Sequence, residues 1–275
     1  MFPLVDWYTY TFKLPSSHGG VGRASSEYIL DLMRTYEWYR KFEAETSPTY
    51  QIKEKGIYGV GGIVDTKSEL SIFWGDINTH AIVACSGRAC SVIFNGAGGY
   101  ELIRETHNFA TRCDLAIDFE SDIDVVLWVV NKKKVAVKTC SHIVSEKGET
   151  RYIGSRKSER FLRIYRYNHP HPRAHLLRCE LELKGKKAKA VCARFKDMTA
   201  YEVICAEFEP FLSENPLFQP ALATPPPARA LRKERTSIGR LRWLELTVAP
   251  ALHKAHDEGI IDLSEWLTRH GLIGQ

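Results

Sequence analysis

Along much of the chain apolar and polar positions alternate with a period of two, the pattern of a strand whose side chains point to two faces in turn. Residues 6–14 (DWYTYTFKL) set Tyr8, Tyr10, Phe12 and Leu14 against Trp7, Thr9, Thr11 and Lys13. Residues 111–120 (TRCDLAIDFE) put Cys113, Leu115, Ile117 and Phe119 on one side and Arg112, Asp114, Ala116, Asp118 and Glu120 on the other. Residues 177–184 repeat that build: Leu177, Cys179, Leu181 and Leu183 form a core face, and Arg178, Glu180, Glu182 and Lys184 a charged one. Between them, residues 151–167 read as a basic hairpin. A polar arm (151–156) meets a turn at Lys157, Ser158 and Glu159. The return arm (160–167) carries Phe161, Arg163, Tyr165 and Tyr167 on one face, with Leu162 and Ile164 on the other.

Elsewhere the period lengthens. Ser25 or Ser26 can cap a helix running to about Phe42, with Ile29, Leu32, Met33 and Tyr36 at helical spacing. Strands follow at residues 50–64, 69–74 and 80–85, with Gly56, Gly59, Gly61 and Gly62 marking bends or a bulge in the first. Residues 87–110 predict a helical segment broken at Gly96, Gly98 and Gly99, residues 122–134 a lysine-rich helix, and residues 186–213 one or two helices. Pro216, Pro220, Pro225, Pro226 and Pro227 mark a linker over residues 215–229. Beyond it, residues 230–275 read as helical, with a break at Pro250 and a cap at Asp262 backed by Glu265. This predicts an α+β protein: a catalytic domain over residues 1–214, largely an antiparallel β-sheet with helices packed on one face, then a linker and a helical C-terminal extension. The order strand, helix, strands, helix occurs twice, before and after about Thr111, so the sheet is expected to be pseudo-duplicated.

Charge sharpens the picture. The 275 residues carry a formal net charge of +5, with 44% hydrophobic and 26% charged residues, the composition of a globular chain with a full core. Residues 131–190 hold 17 Lys+Arg against 5 Glu and no Asp, while the remainder is net acidic. A focused basic segment is the footprint of a polyphosphate partner. Seven cysteines without a C-x-x-C pair, and no recognisable secretion signal, point to a reducing, cytoplasmic setting. No apolar run reaches membrane-spanning length. Neither glycine cluster is followed by Lys-Ser/Thr, so no P-loop is present.

The residue types suggest a chemistry. Carboxylates converging from two strands (Asp114, Asp118, Glu180, Glu182) can hold a hard divalent cation, Mg²⁺ or Mn²⁺, by oxygen alone. A tyrosine among arginines can be a covalent nucleophile, and Arg163 and Arg156 can bind phosphate. Arg151, Lys157, Arg160, Arg166, Arg178 and Lys184 are candidate DNA contacts. Tyr152 and Tyr167 compete with Tyr165, and Tyr167, on the same strand face, is a candidate second nucleophile or a base-stacking ring. His169 and His171 form a His-x-His pair interleaved with Pro170 and Pro172, which oppose regular strand pairing there. They read as a loop or DNA contact, with a histidine metal pair as the alternative.

TRCDLAIDF, YIGSRKSERFLRIY and RCELELK, in this order and spacing, resemble the Rep_trans family: rolling-circle replication initiators of plasmids and filamentous phages, with related mobilisation relaxases. DWYTYTF, CSGRAC at residues 85–90 and RWLELTVAPAL at residues 242–252 look like the phage-type members. The resemblance implies that Tyr165 is the nucleophile, that acids among Asp114, Asp118, Glu180 and Glu182 bind the metal, and that the enzyme nicks and rejoins origin DNA through a 5′-phosphotyrosine. Plasmid members commonly carry a lysine two residues after the tyrosine. Tyr167 stands there, which leaves Arg166 as the nearby charge, a poor proton donor. Expected partners are origin DNA, as a hairpin or single strand, and a host helicase, with a homodimer as a candidate assembly. Rival readings are a mobilisation relaxase with the same chemistry, a non-catalytic DNA-binding regulator on the same fold, and a hydrolytic nuclease. Origin choice is expected to lie in the C-terminal helical segment, where Arg229, Arg232, Lys233, Arg235, Arg240 and Arg242 cluster.

Overall fold

The computed structural model describes residues 2–14, 25–53, 61–65, 67–74, 80–95, 100–121, 124, 140–146, 148–167, 175–220, 256–259, 262 and 264–265. Two compact units are present, Met1–Ala230 and Leu231–Gln275. In the first, the alternating stretches become strands of one sheet: β1 (Phe2–Lys13), β2 (Gln51–Lys53), β3 (Gly61–Asp65), β4 (Leu70–Trp74), β5 (His80–Ser86), β6 (Ala110–Glu120), β7 (Cys140–Ser145), β8 (Gly148–Ile153), β9 (Arg160–Tyr167) and β10 (Leu176–Lys184). Their order is β2-β3-β4-β5-β1-β6-β10-β9-β8-β7, with every neighbouring pair antiparallel. The helices are α1 (Ser26–Arg34), α2 (Glu37–Thr46), α3 (Gly87–Asn95), α4 (Glu101–Thr106), α5 (Gly185–Arg194) and α6 (Ala200–Leu212).

The strand order reads the same from both edges, which makes the duplication concrete. β1 and β6 lie side by side at the centre. Each is followed by four strands whose last member returns to pair with it, β5 on β1 and β10 on β6. A helix then leaves each returning strand through a glycine of positive φ, Gly87 at 39° and Gly185 at 52°. Both helix starts use the same cap. The carboxylate of Glu69 accepts the Arg88 N–H at 2.5 Å, and that of Glu159 accepts the Lys186 N–H at 3.2 Å. The glutamate backbones match as well: Ser86 N–H donates to the Glu69 carbonyl, and Lys184 N–H to that of Glu159. A carboxylate at a helix N-terminus is favoured by the orphan N–H groups and the helix dipole.

One face of the sheet is the core face. Tyr8, Tyr10, Cys113, Leu115, Ile117, Cys179, Leu181 and Leu183 pack there with Ile29 and Met33 of α1, Trp38 and Phe42 of α2, Ile93 of α3, Val191 of α5 and Phe208 of α6. Tyr8 keeps its polar end satisfied in this setting: its hydroxyl lies 2.7 Å from Thr106 Oγ1, and Thr106 donates to the Leu102 carbonyl.

Some boundaries depart from the sequence expectation. The single helix expected from Ser25 to Phe42 is two. Ser25 caps the first, but Tyr36 adopts an extended ψ of 132° and sets its ring edge-on to Phe12, ending one helix and starting the next. The polar arm expected at residues 151–156 is β8, three residues earlier, and it pairs on its outer side with β7, a strand the periodicity did not reveal. All of β7 is exposed, so no burial constrained its pattern. Phe218 packs into the core, so the first residues of the expected linker belong to the sheet unit. The helix expected over residues 122–134, the histidines at 169 and 171 and the basic cluster at residues 229–242 lie outside the described residues. Among the described residues no helix is long and apolar enough to cross a membrane.

The glycine cap gives a stability test. A Cβ at Gly185 would stand 2.9 Å from Glu159 Oε1, in a backbone region that costs an L-residue roughly 1–2 kcal/mol. Gly185→Ala and Gly87→Ala are each expected to lower unfolding free energy by about that amount in urea titrations. Unchanged midpoints for both would show that the shared cap is not a structural constraint.

Candidate active site

The face opposite the helices carries the charge. β6 contributes Arg112, Asp114 and Asp118, β10 contributes Arg178, Glu180, Glu182 and Lys184, and β9 contributes Arg163 and Tyr165. Register brings them together: Asp118 is paired with Arg178, Asp114 with Glu182, Glu180 with Arg163, and Arg178 with Tyr165. β1 adds a residue that alternation concealed. Val5 pairs with Leu115 and Trp7 with Asp114, so Asp6 is the extra residue of a bulge. Its carboxylate reaches Arg178 Nη1 at 2.7 Å.

These side chains form a lattice of alternating sign. Arg178 binds both oxygens of Asp118, at 2.6 and 2.8 Å, while its remaining arm holds Asp6. Arg112 binds Asp114 at 2.9 and 2.5 Å and Glu182 at 3.0 Å, with its guanidinium 4.5 Å from the Trp7 ring centroid. Arg163 bridges Glu180 and Asp114, the latter at 3.5 Å. Lys184 meets Glu182 at 2.5 Å. Tyr165 donates its hydroxyl to Glu180 Oε2 at 3.0 Å. The centre of the lattice is buried: Asp114 is 0%, Glu180 3%, Arg178 4% and Asp118 6% exposed, while Arg112, Arg163, Lys184 and Asp6 at its margin are partly open to solvent.

Burial sets the electrostatics. Asp6, Asp114, Asp118, Glu180 and Glu182 outnumber Arg112, Arg163, Arg178 and Lys184 by one charge. Burial pushes the Glu180 carboxyl up to about 7, with Arg163 only partly opposing and Asp114 and Asp6 adding repulsion. Burial also raises Asp114 against the pull of Arg112. Glu182 goes the other way: burial pushes it up, but the Lys184 hydrogen bond and the Arg112 charge outweigh that and hold it low. Arg163 and Arg178 both lie within electrostatic reach of the Tyr165 phenol.

Among the described residues no three His, Cys, Asp or Glu side chains are gathered into a metal cluster, and arginines stand between the acids. The donor set is nevertheless all oxygen, the chemistry a hard divalent cation requires. A cation would also favour the ionised forms of Glu180 and Asp114 that burial disfavours. Asp118 fits least, since Arg178 occupies both its oxygens.

The expected DNA contacts divide between the faces. Arg178 and Lys184 are in the lattice. Arg156 sits in the β8–β9 turn, 5.3 Å from the Tyr152 ring centroid and 5.8 Å from that of Phe161, at the Glu182 end of the face. Lys157 is exposed in the same turn. Arg166 donates to the Ser121 carbonyl. Arg151 and Arg160 point toward the helix-covered face. Arg151 is 7% exposed and faces away from Thr150 and Tyr152. Arg160 shares the core parity of Leu162 and Ile164. It lies beside Glu207, a fully buried α6 carboxylate that also pairs with Lys187 at 2.9 Å and Arg194 at 3.7 Å. Strand parity places these two arginines on the opposite face from Arg163, which a count of basic residues could not show. Asp6, Trp7 and Arg112 were missed as site residues. The signal for Asp6 was present: Val5 and Tyr8 are both apolar and three apart, which breaks the two-residue period.

No family model matches the chain. Two proteins from Staphylococcus aureus, each described as "Replication initiation protein", are 38% identical over 82 residues, covering 27% of this chain and 26% of theirs. The chain thus spans about a quarter of the length of these curated relatives. The solved structure of a rolling-circle replication initiator protein from Geobacillus stearothermophilus matches 76% of this chain and 84% of its own, with a TM-score of 0.52 and 18% identity. The likeness to this initiator is one of fold.

The Glu180 shift has a sign that can be measured. A raised pKa means that the folded state favours the protonated carboxyl. That contribution to stability is complete below the ordinary value of 4.5 and is lost as pH rises to about 7. In chelator, Glu180→Gln is expected to remove a decline in unfolding free energy between these limits of up to ~3 kcal/mol. Identical slopes for the variant and the parent protein would contradict the assignment.

Proposed function

We propose that this chain initiates rolling-circle replication, nicking one strand of an origin and rejoining it through Tyr165. The observation that carries the proposal is the Tyr165 hydroxyl donating to buried Glu180 at 3.0 Å, among arginines, on an initiator-type scaffold. The phenolic oxygen attacks the scissile phosphorus, so a tyrosine O–P bond forms and the P–O3′ bond breaks. Glu180, in its ionised form, accepts the phenol proton across the existing hydrogen bond, and the departing 3′-oxygen takes up a proton. The products are a free 3′-hydroxyl, which primes synthesis, and a 5′-phosphotyrosine, whose reversal reseals the strand. Arg163 and Arg178 supply the positive charge against which negative charge on the phosphoryl oxygens develops.

Asp114, Glu180 and Glu182 are the residues that would hold Mg²⁺ or Mn²⁺, with Arg163 leaving its bridge to the first two. Such a cation, when bound, polarises the scissile phosphate. Asp118 and Asp6 then serve to hold Arg178 in place beneath the tyrosine. The sequence carries no P-loop, so strand separation falls to a host helicase. A regulator that keeps this fold without catalysis would need no phenol held against a buried carboxylate.

Supercoiled DNA of the genetic element that encodes the chain tests this reading. Tyr165→Phe is expected to keep DNA binding and to lower nicking by at least about 10³-fold, the scale on which loss of a covalent nucleophile is felt. Wild-type rates in that variant would end the proposal. EDTA is expected to stop nicking and Mn²⁺ to restore it. Glu182→Ala should raise the Mn²⁺ concentration needed more than Asp118→Ala does. Full activity in chelator, or restoration by Zn²⁺ alone, would remove the carboxylate-held cation.

A further inference from the structure

Beside Tyr165, on the side away from the acids, the sheet face is hollow. A cavity of about 250 Å³ opens between the β7–β8 turn and β9. Gly148, opposite Tyr167 in the register, contributes no side chain there, and its φ of 141° is one that L-residues avoid. The walls are the rings of Tyr152 and Tyr165, the hydroxyl-bearing Thr150, and Arg163 and Arg166. Among the described residues no carboxylate lines it, although acids dominate the strands on the other side of Tyr165. Tyr152 is held from behind by Phe161, with ring centroids 5.7 Å apart and planes at 13°.

Aromatic rings with guanidinium groups and no acid are the surroundings that unpaired nucleotides prefer. At about 250 Å³ the cavity is smaller than the ~300–1,000 Å³ of sites for drug-sized ligands, which limits it to a single nucleotide unit. Position agrees too. The cavity floor is one strand further out than the tyrosine strand, and neighbouring strands are roughly 4.8 Å apart, so the cavity adjoins Tyr165 directly.

We infer that this cavity is a nucleotide subsite, taking the base and sugar of one unpaired deoxynucleotide adjacent to the phosphate presented to Tyr165. It rests on the reading of Tyr165 as nucleophile for its orientation, but its occupancy does not. The subsite explains how a single strand is positioned for in-line attack: the base is held on β8 while the phosphate lies over β9. Because contact with a ring is tolerant of base identity, the subsite demands an unpaired strand more than a sequence.

The test uses full-length Tyr165→Phe protein, which keeps the ring, and a fluorescein-labelled (dT)₁₂ with 5-iododeoxyuridine at internal positions. Irradiation is expected to cross-link Tyr152, found by mass spectrometry in the tryptic peptide of residues 152–156. Thr150→Trp, which fills the cavity, is expected to weaken (dT)₁₂ binding about tenfold by anisotropy, the loss of one base contact. Cross-links confined to other peptides would overturn the subsite. So would a folded Thr150→Trp protein with an unchanged dissociation constant. Should Thr150→Trp fail to fold, the cross-link position alone decides. Cross-linking at Tyr152 in a wild-type protein that never forms a covalent DNA adduct would sink the nicking reading and leave the subsite standing.

Discussion

Five carboxylates crowd one face of the β1, β6 and β10 strands, four of them buried and Asp6 partly exposed, and the site depends on how that repulsion is relieved. Each acid meets a cation supplied by strand register rather than by a flexible loop. Asp118 faces Arg178 directly, Arg163 bridges diagonally from Glu180 to Asp114, and Arg112 spans Asp114 and Glu182. Removing one member of such a lattice leaves a buried charge unpaired, which typically costs 3–5 kcal/mol. The lattice is therefore more a means of fixing geometry than a source of stability. Burial raises the Glu180 carboxyl in spite of Arg163, and Glu180 is the residue that holds the tyrosine hydroxyl.

Duplication shows how specialised this face is. The register that pairs Leu70 with Cys85 in one half pairs Arg160 with Leu183 in the other. By that equivalence Phe73 occupies the place of Arg163, Ile82 and Ala84 those of Glu180 and Glu182, and Thr9 that of Asp114. Both halves keep the core parity, the glycine exit and the glutamate cap. Among the described residues, the buried acids of the strands β6 and β10 have no counterparts on β1 and β5 at the equivalent positions. The scaffold is thus the same solution to strand pairing and helix docking used twice, and the chemistry is an addition to one copy.

What could be read from the chain follows from which residues were constrained on both sides. β6, β9 and β10 are buried on one face and charged on the other, so their alternation was unbroken, and Asp114, Glu180 and Tyr165 could be placed on the same face. β7, exposed along its length, left no periodic trace. Asp6 was hidden because a bulge shifts parity by one residue, and the two-residue rule cannot count through it. Arg151 and Arg160 looked like their neighbours in composition. Only the pairing register separates an arginine facing Glu207 beneath the sheet from one facing Glu180 above it. The palindromic strand order was likewise beyond local pattern, since it depends on pairings between segments some 70 residues apart in the chain, such as β6 with β10.

The central claim is that the lattice presents Tyr165 as the group that becomes bonded to DNA. The most direct measurement is to trap the covalent complex on DNA of the encoding element, trim it with nuclease and digest it with trypsin. Mass spectrometry is expected to find a nucleotide on the peptide of residues 164–166, Ile164-Tyr165-Arg166. A nucleotide found instead on the peptide that contains Tyr152, or on the one that begins at Tyr167, would contradict it.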